Sequence, residues 1–139
     1  MKPRVYIETT IPSYYYEIRE DPESIAKRQW TKEWWDNHRH NYELVISPSV
    51  MDELERGNYP TKVNTLKFVE GLSLLEITEE VKDIVAQYLS HKLMPKDPGG
   101  DALHLALASY YQCHFLLTWN CQNLANANKF EHIRLKSNF

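Results

Sequence analysis

The chain has 139 residues, of which 16 are Lys or Arg and 19 are Asp or Glu, so its formal net charge is −3. By the usual size relation we expect residues 1–139 to form a single domain with a buried core. The negative charge excludes a global positive field, so a nucleic-acid partner requires a local basic patch or a bound cation. No apolar run has the length of a membrane span, and the chain does not start with the apolar segment of a signal peptide. The two cysteines, Cys113 and Cys121, favour reduced thiols in the cytoplasm.

The first third of the chain predicts a strand, a long helix and a second strand. The strand covers residues 5–8, where β-branched and aromatic side chains precede a polar, proline-containing segment. Asp21 and Pro22 begin a helix that runs toward Asn41, because Asp favours the N-cap and Pro the first helical position. The second strand is predicted over residues 43–46.

The middle of the chain predicts three helices and a third strand. Helices over 47–56 and 61–70 each end at a glycine, which is the residue that most often follows a helix. The strand covers 74–77, and Thr78 caps the next helix. Apolar side chains of that helix recur with the spacing of one face: Val81, Ile84, Val85, Tyr88 and Leu89.

The last third predicts two helices and a fourth strand. A loop rich in proline and glycine over 91–100 precedes an almost entirely apolar helix over 101–111, which we expect to be buried on most sides. A strand over 115–117 and a short helix over 124–129 follow. Strands separated by helices predict an α/β fold with a parallel sheet of four to five strands and helices on both faces.

Three acidic residues fall where this architecture brings strand ends together. Glu8 ends the first strand, Glu53 lies on the helix after the second strand, and Asp101 opens the apolar helix, where the helix dipole stabilises an anion. Ligands of such sheets bind outside the carboxyl ends of the strands. The fourth strand leads to the same edge and brings the amide side chains of Asn120 and Asn123 there.

Several carboxylates in one cleft repel each other unless a cation compensates their charge. Oxygen ligands suit Mg²⁺ or Mn²⁺, and such an ion polarises a phosphoryl oxygen and activates a bound water. The pattern therefore indicates metal-assisted hydrolysis of phosphodiester bonds. The alternatives are that Glu53 is a solvated helix carboxylate and that Asp101 is only a helix cap.

Four stretches carry these residues: VYIETTIPS, SPSVMDELERG, GDALHLALA and LLTWN. In order and spacing they resemble the four motifs of PIN domains, especially the VapC-like toxins of bacterial toxin–antitoxin pairs. The resemblance extends from about residue 5 to residue 129, and GDALHLALA with LLTWN is its most specific part. It implies a three-layer αβα fold and an endoribonuclease that depends on Mg²⁺ or Mn²⁺. It also implies a homodimer and a small antitoxin protein that blocks the site.

The resemblance implies a role for each matching residue. Glu8 stands at the first motif aspartate and Thr10 at the Ser or Thr that follows it, while Glu53 matches the family's glutamate and Asp101 its central aspartate. Glu8 and Asp101 would then hold the ion, and Glu53 would bind it or position the attacking water. Asn120 would complete the ring of ligands.

The chain departs from the family in three respects. Glu8 is one methylene longer than aspartate, and Asn120 and Asn123 stand where the family has one or more aspartates. The chain also stops at Phe139, where we expect a family member to continue into a fifth strand and a closing helix. These departures leave a second hypothesis open, a catalytically weak or silent PIN-like module that binds RNA or a protein partner. A phosphate-accepting receiver domain is disfavoured, because no aspartate follows the third strand.

Other candidate residues have two interpretations each. His104, one turn after Asp101, either orients that carboxylate or a water, or is a packed core residue, which we favour. An aromatic cluster either stacks on unpaired bases or forms a subunit interface, which we favour: Tyr14, Tyr15, Tyr16, Trp30, Trp34 and Trp35. Several basic side chains either contact phosphates or form an ordinary charged helix face: Arg19, Lys27, Arg28, Lys32 and Arg39.

Overall fold

The computed structural model describes residues 1–90 and 100–120. Strands and helices alternate along this part of the chain. Its elements are β1 (Arg4–Ile7), α1 (Thr10–Tyr15), α2 (Pro22–His38), a 3₁₀ turn (Arg39–Asn41), β2 (Glu43–Ile46), α3 (Pro48–Glu55), α4 (Lys62–Glu70), β3 (Ser73–Leu74), α5 (Glu79–Ser90), α6 (Asp101–Tyr110) and β4 (Phe115–Leu117). Within these ranges no helix is long and apolar enough to cross a membrane.

The four strands form one sheet in the order β3-β2-β1-β4, and every neighbouring pair is parallel. Val5 of the central strand lies opposite Leu44 on one side and Phe115 on the other. Successive strand residues point to opposite faces, and Val5, Tyr6 and Ile7 are all buried. Side chains on both faces of β1 are therefore shielded from solvent. The prediction of an α/β fold with a parallel sheet is confirmed.

Local sequence signals account for the starts of three helices, α2, α5 and α6. Asp21 is the N-cap of α2, where its side chain accepts a hydrogen bond of 3.1 Å from the Ser24 backbone N–H. The Thr78 hydroxyl accepts a 3.2 Å bond from the Val81 N–H at the start of α5. Gly100 precedes α6 with a φ of 79°, a conformation that favours glycine. As predicted from its composition, α6 is buried along most of its length.

Two elements differ from the prediction. The segment that follows β1 forms a short helix, α1, which tolerates Pro12 because this residue lies in the first turn, where proline displaces no intrahelical hydrogen bond. Strand β3 has only two residues instead of the predicted run over 74–77. The Leu75 N–H donates to the carbonyl of Ile46 at 2.8 Å. Ile46 is the last residue of β2, so the residues after Leu75 have no β2 residue beside them with which to pair.

Several predictions agree with the structure to within a few residues, and others fall outside the described ranges. Strands 43–46 and 115–117 agree in both bounds. The long helix ends at His38, and the 3₁₀ turn carries the chain on to Asn41. The predicted helix over 124–129 lies outside the described residues.

Candidate functional site

Glu8 follows β1 directly and is almost fully buried, with 5 % of its surface exposed. Its Oε1 accepts three hydrogen bonds, from the Thr10 N–H at 3.1 Å, the Thr10 hydroxyl at 2.6 Å and the Thr118 hydroxyl at 2.6 Å. A carboxylate out of water is stable only when polar partners replace its hydration. The turn into α1 and the end of β4 supply those partners.

The residues after β4 connect Glu8 to the start of α6. The Thr118 hydroxyl donates to Glu8 and accepts a 2.9 Å hydrogen bond from the Asn120 N–H. The Asn120 side-chain amide lies 3.2 and 3.3 Å from the two carboxylate oxygens of Asp101. Asp101 is buried at the first position of α6, where the helix dipole favours a negative charge. Glu8 and Asp101 therefore belong to one hydrogen-bonded network.

Glu53 on α3 is held at the same edge of the sheet by Thr9, the residue that follows Glu8. Its Oε1 accepts 2.6 Å and 2.8 Å hydrogen bonds from the Thr9 hydroxyl and His104 Nε2. Burial raises the pKa of Glu53, but the hydrogen bonds from His104 and Thr9 outweigh it and hold this pKa below its usual range. Glu53 is therefore a carboxylate at neutral pH.

His104 is fully buried on α6, one turn after Asp101. Its Nε2 contacts Glu53, and its Nδ1 lies 2.7 Å from the Tyr6 hydroxyl, which in turn lies 2.8 Å from the Ser47 hydroxyl. Burial raises the pKa of Tyr6 well above its usual range, so its hydroxyl stays protonated. The His104 side chain is packed, which is the interpretation that we favoured from the sequence, and it also forms a hydrogen bond with Glu53.

These hydrogen bonds lie at the carboxyl edge of the sheet, where β1, β2 and β4 lead into Glu8, Ser47 and Thr118. Two hydrogen-bonded groups, one around Glu8 and Asp101 and one around Glu53 and His104, contain six of the residues that the sequence singled out: Glu8, Thr10, Glu53, Asp101, His104 and Asn120. Asn123 lies outside the described residues.

Sequence analysis gave no role to four residues that form hydrogen bonds at this edge: Tyr6, Thr9, Ser47 and Thr118. The position of Tyr6 near Glu8 could have been predicted, because Tyr6 precedes Glu8 by two residues and strand side chains two apart share a face. Ser47 and Thr118 each follow a predicted strand directly, so their positions pointed to the same edge. Thr9 has no local signal that separates it from Thr10.

The donors at this edge have the chemistry that Mg²⁺ or Mn²⁺ prefers, since they are carboxylate and amide oxygens. Among residues 1–90 and 100–120, no group of three or more His, Cys, Asp or Glu side chains is arranged to hold a metal ion. In the same ranges the hydrogen bonds to Glu8 and to Glu53 all reach Oε1. Oε2 of each residue is therefore the oxygen that a further ligand would use.

A scan against models of protein families matches none of them, and a search of curated proteins finds no match.

Proposed function

We propose that the chain is a metal-dependent endoribonuclease that hydrolyses RNA phosphodiester bonds with Mg²⁺ or Mn²⁺, as the VapC-like PIN domains that it resembles do. The observation that supports this proposal is the pair of hydrogen-bonded groups at the carboxyl edge of the sheet. One group contains Glu8 and Asp101, and the other contains Glu53, which is held by Thr9, the neighbour of Glu8 in the chain. The proposal includes the three-layer αβα arrangement, a homodimer, a small antitoxin partner and a cytoplasmic location.

In this proposal Glu8 and Asp101 hold the ion, and the amide of Asn120 orients Asp101. The ion, when bound, polarises the phosphoryl oxygen and activates water. The lowered pKa of Glu53 makes it a weak base. Its role is therefore to orient the attacking water by accepting a hydrogen bond at Oε2, while Thr9 and His104 hold Oε1 in place.

The deciding experiment is cleavage of a panel of RNAs with Mn²⁺ or Mg²⁺. Asp101→Asn keeps the shape of the side chain and removes its charge, so we expect a loss of about 100-fold or more in kcat/KM. Asp52→Asn is the matched control, because Asp52 is an exposed aspartate on α3 next to Glu53. Equal cleavage by the wild type and the Asp101 variant would reject the assignment.

A second candidate function is a catalytically silent PIN-like module that binds RNA or a protein partner. Two observations favour it: Asn120 occupies a position where the resemblance places a carboxylate, and the described ranges hold no three-residue metal group. Calorimetric titration with Mn²⁺ separates the two functions. Absence of binding at millimolar Mn²⁺, with RNA or a partner still bound, supports the silent module.

A further inference from the structure

The aromatic residues that the sequence grouped together divide into two clusters. Trp35 packs in the core, with its ring centroid 4.0 Å from that of Phe68. A separate cluster, which we call the aromatic platform, consists of Tyr14, Trp30 and Trp119. The Trp119 ring is the centre of the platform, with centroids 5.4 Å from Trp30 and 6.1 Å from Tyr14, both in edge-to-face geometry.

The platform is continuous with the acidic network. The Trp119 indole N–H donates to the Thr31 hydroxyl of α2 at 2.9 Å. Its backbone N–H donates at 2.9 Å to the same Thr10 hydroxyl that binds Glu8. Both ends of Trp119 are therefore held, and the ring lies two hydrogen bonds away from the Glu8 carboxylate.

A cation lies over the platform. Lys27 Nζ is 5.1 Å from the centroid of Tyr14 and 5.6 Å from that of Trp119. It also pairs with Glu23 at 2.9 Å, and the Glu23 side chain is largely exposed. Because the Glu23 side of this pair lies in solvent, the pair contributes little free energy, and a phosphate can replace Glu23 at small cost. Lys27 therefore places one cation beside the platform, in a chain whose net charge of −3 supplies no global positive field.

The combination fits single-stranded RNA better than a protein partner. Trp30 is 45 % exposed, and an exposed ring face offers an unpaired base a stacking surface. Protein interfaces also concentrate Trp and Tyr, but their centres are depleted in Lys. Bases in a duplex are already stacked and their faces are inaccessible.

We propose that the aromatic platform is a base-binding site, in which the platform stacks on an unpaired base of the substrate while Lys27 binds an adjacent phosphate. This inference rests on the proposed nuclease function, because it takes the neighbouring acidic network as the place of cleavage. The platform then determines which strands reach that network, since only a base outside a duplex can stack on it.

Binding without cleavage tests the platform directly. The probe is a fluorescein-labelled RNA of about twenty nucleotides with mixed sequence and no self-complementary stretch, measured by fluorescence anisotropy in EDTA, alone and as a duplex with its complementary strand. We expect the single strand to bind the wild type about tenfold or more tightly than the duplex does. Trp30→Leu is expected to weaken single-strand binding by about tenfold.

Two matched variants control for general effects. Phe115→Leu removes another exposed aromatic ring, at the start of β4 and therefore at the opposite end of the strand from the site. Lys82→Gln is the control for Lys27→Gln, because each lysine lies on a helix and pairs with a glutamate of the preceding turn. Both controls are expected to bind the single strand as the wild type does, whereas Lys27→Gln binds it more weakly.

The outcomes separate this inference from the function on which it rests. The platform proposal is rejected if the wild type binds single strand and duplex with equal affinity. It is also rejected if Trp30→Leu binds the single strand as tightly as the wild type does, which is the result expected if these rings bind a protein. Single-strand preference that depends on Trp30, without cleavage in Mn²⁺, supports the platform and overturns the nuclease. Cleavage by Trp30→Leu with a raised KM and an unchanged kcat supports both.

Discussion

At the scale of single residues, Ser47, Tyr6, His104 and Glu53 form a chain of hydrogen bonds whose direction follows from chemistry. A carboxylate only accepts, so His104 Nε2 donates to Glu53. In the neutral form of the ring Nδ1 accepts, so that in this form the Tyr6 hydroxyl donates to the ring and accepts from Ser47. The chain therefore selects one tautomer of His104 and through it orients the carboxylate of Glu53.

Tyr6→Phe tests this positioning role, which rests on the proposed function. The variant leaves His104 Nδ1 without its donor and releases the tautomer, so we expect kcat for RNA cleavage to fall about tenfold with KM little changed. Tyr88→Phe is the matched control, because it also removes a buried hydroxyl, one that donates to Ser109 at 3.3 Å. Steady-state kinetics that give both variants the same kcat would show that His104 is only a packed residue.

At the scale of elements, the start of α6 places two residues of the site. Asp101 and His104 are three positions apart and therefore lie on the same side of the helix. The helix begins where it does because Gly100 reverses the chain with a positive φ. The candidate site thus depends on a positive φ at position 100, which residues other than glycine disfavour.

Gly100→Ala is expected to destabilise the protein by about 1–2 kcal/mol, because an L residue is strained at a φ of 79°. Steric contact contributes little, since the added Cβ would lie 3.7 Å from Ser49 Oγ. Gly71→Ala is the control: its φ is −89° and the added Cβ meets nothing within 4 Å. Urea unfolding measures both variants, and an equal loss of stability would contradict the backbone explanation.

The limits of prediction at this scale follow from what each element depends on. Strands 43–46 and 115–117 were predictable because runs of apolar and β-branched residues are local signals. Helix α1 was not, because Pro12 predicts both the end of a strand and the first turn of a helix. The length of β3 depends on where β2 ends, and no local pattern in 74–77 carries that information.

At the scale of the whole molecule, the lowered pKa of Glu53 makes folding stability depend on pH. A carboxyl whose pKa is lower in the folded state contributes stability above its unfolded pKa, and this is lost as pH falls through the folded pKa. We therefore expect Glu53→Gln to be less stable than the wild type at pH 7 and the difference to shrink below about pH 4.

Urea unfolding of the wild type and Glu53→Gln across this pH range measures the effect. Glu55→Gln is the control, because it removes an exposed carboxylate from the same helix. A difference between the wild type and Glu53→Gln that stays constant with pH would contradict the assigned role of His104 and Thr9 in lowering this pKa.

The sequence alone determined the α/β class, the parallel sheet and the acidic residues that follow strands or open helices. These follow from hydrophobic periodicity, helix caps and the rule that parallel strands share their carboxyl edge. Only the tertiary structure decided the strand order β3-β2-β1-β4 and the pairing of Glu53 with His104, which is 51 residues away. Contacts over such separations arise because different helices and strands pack against one another, and each partner's local sequence is compatible with many other neighbours.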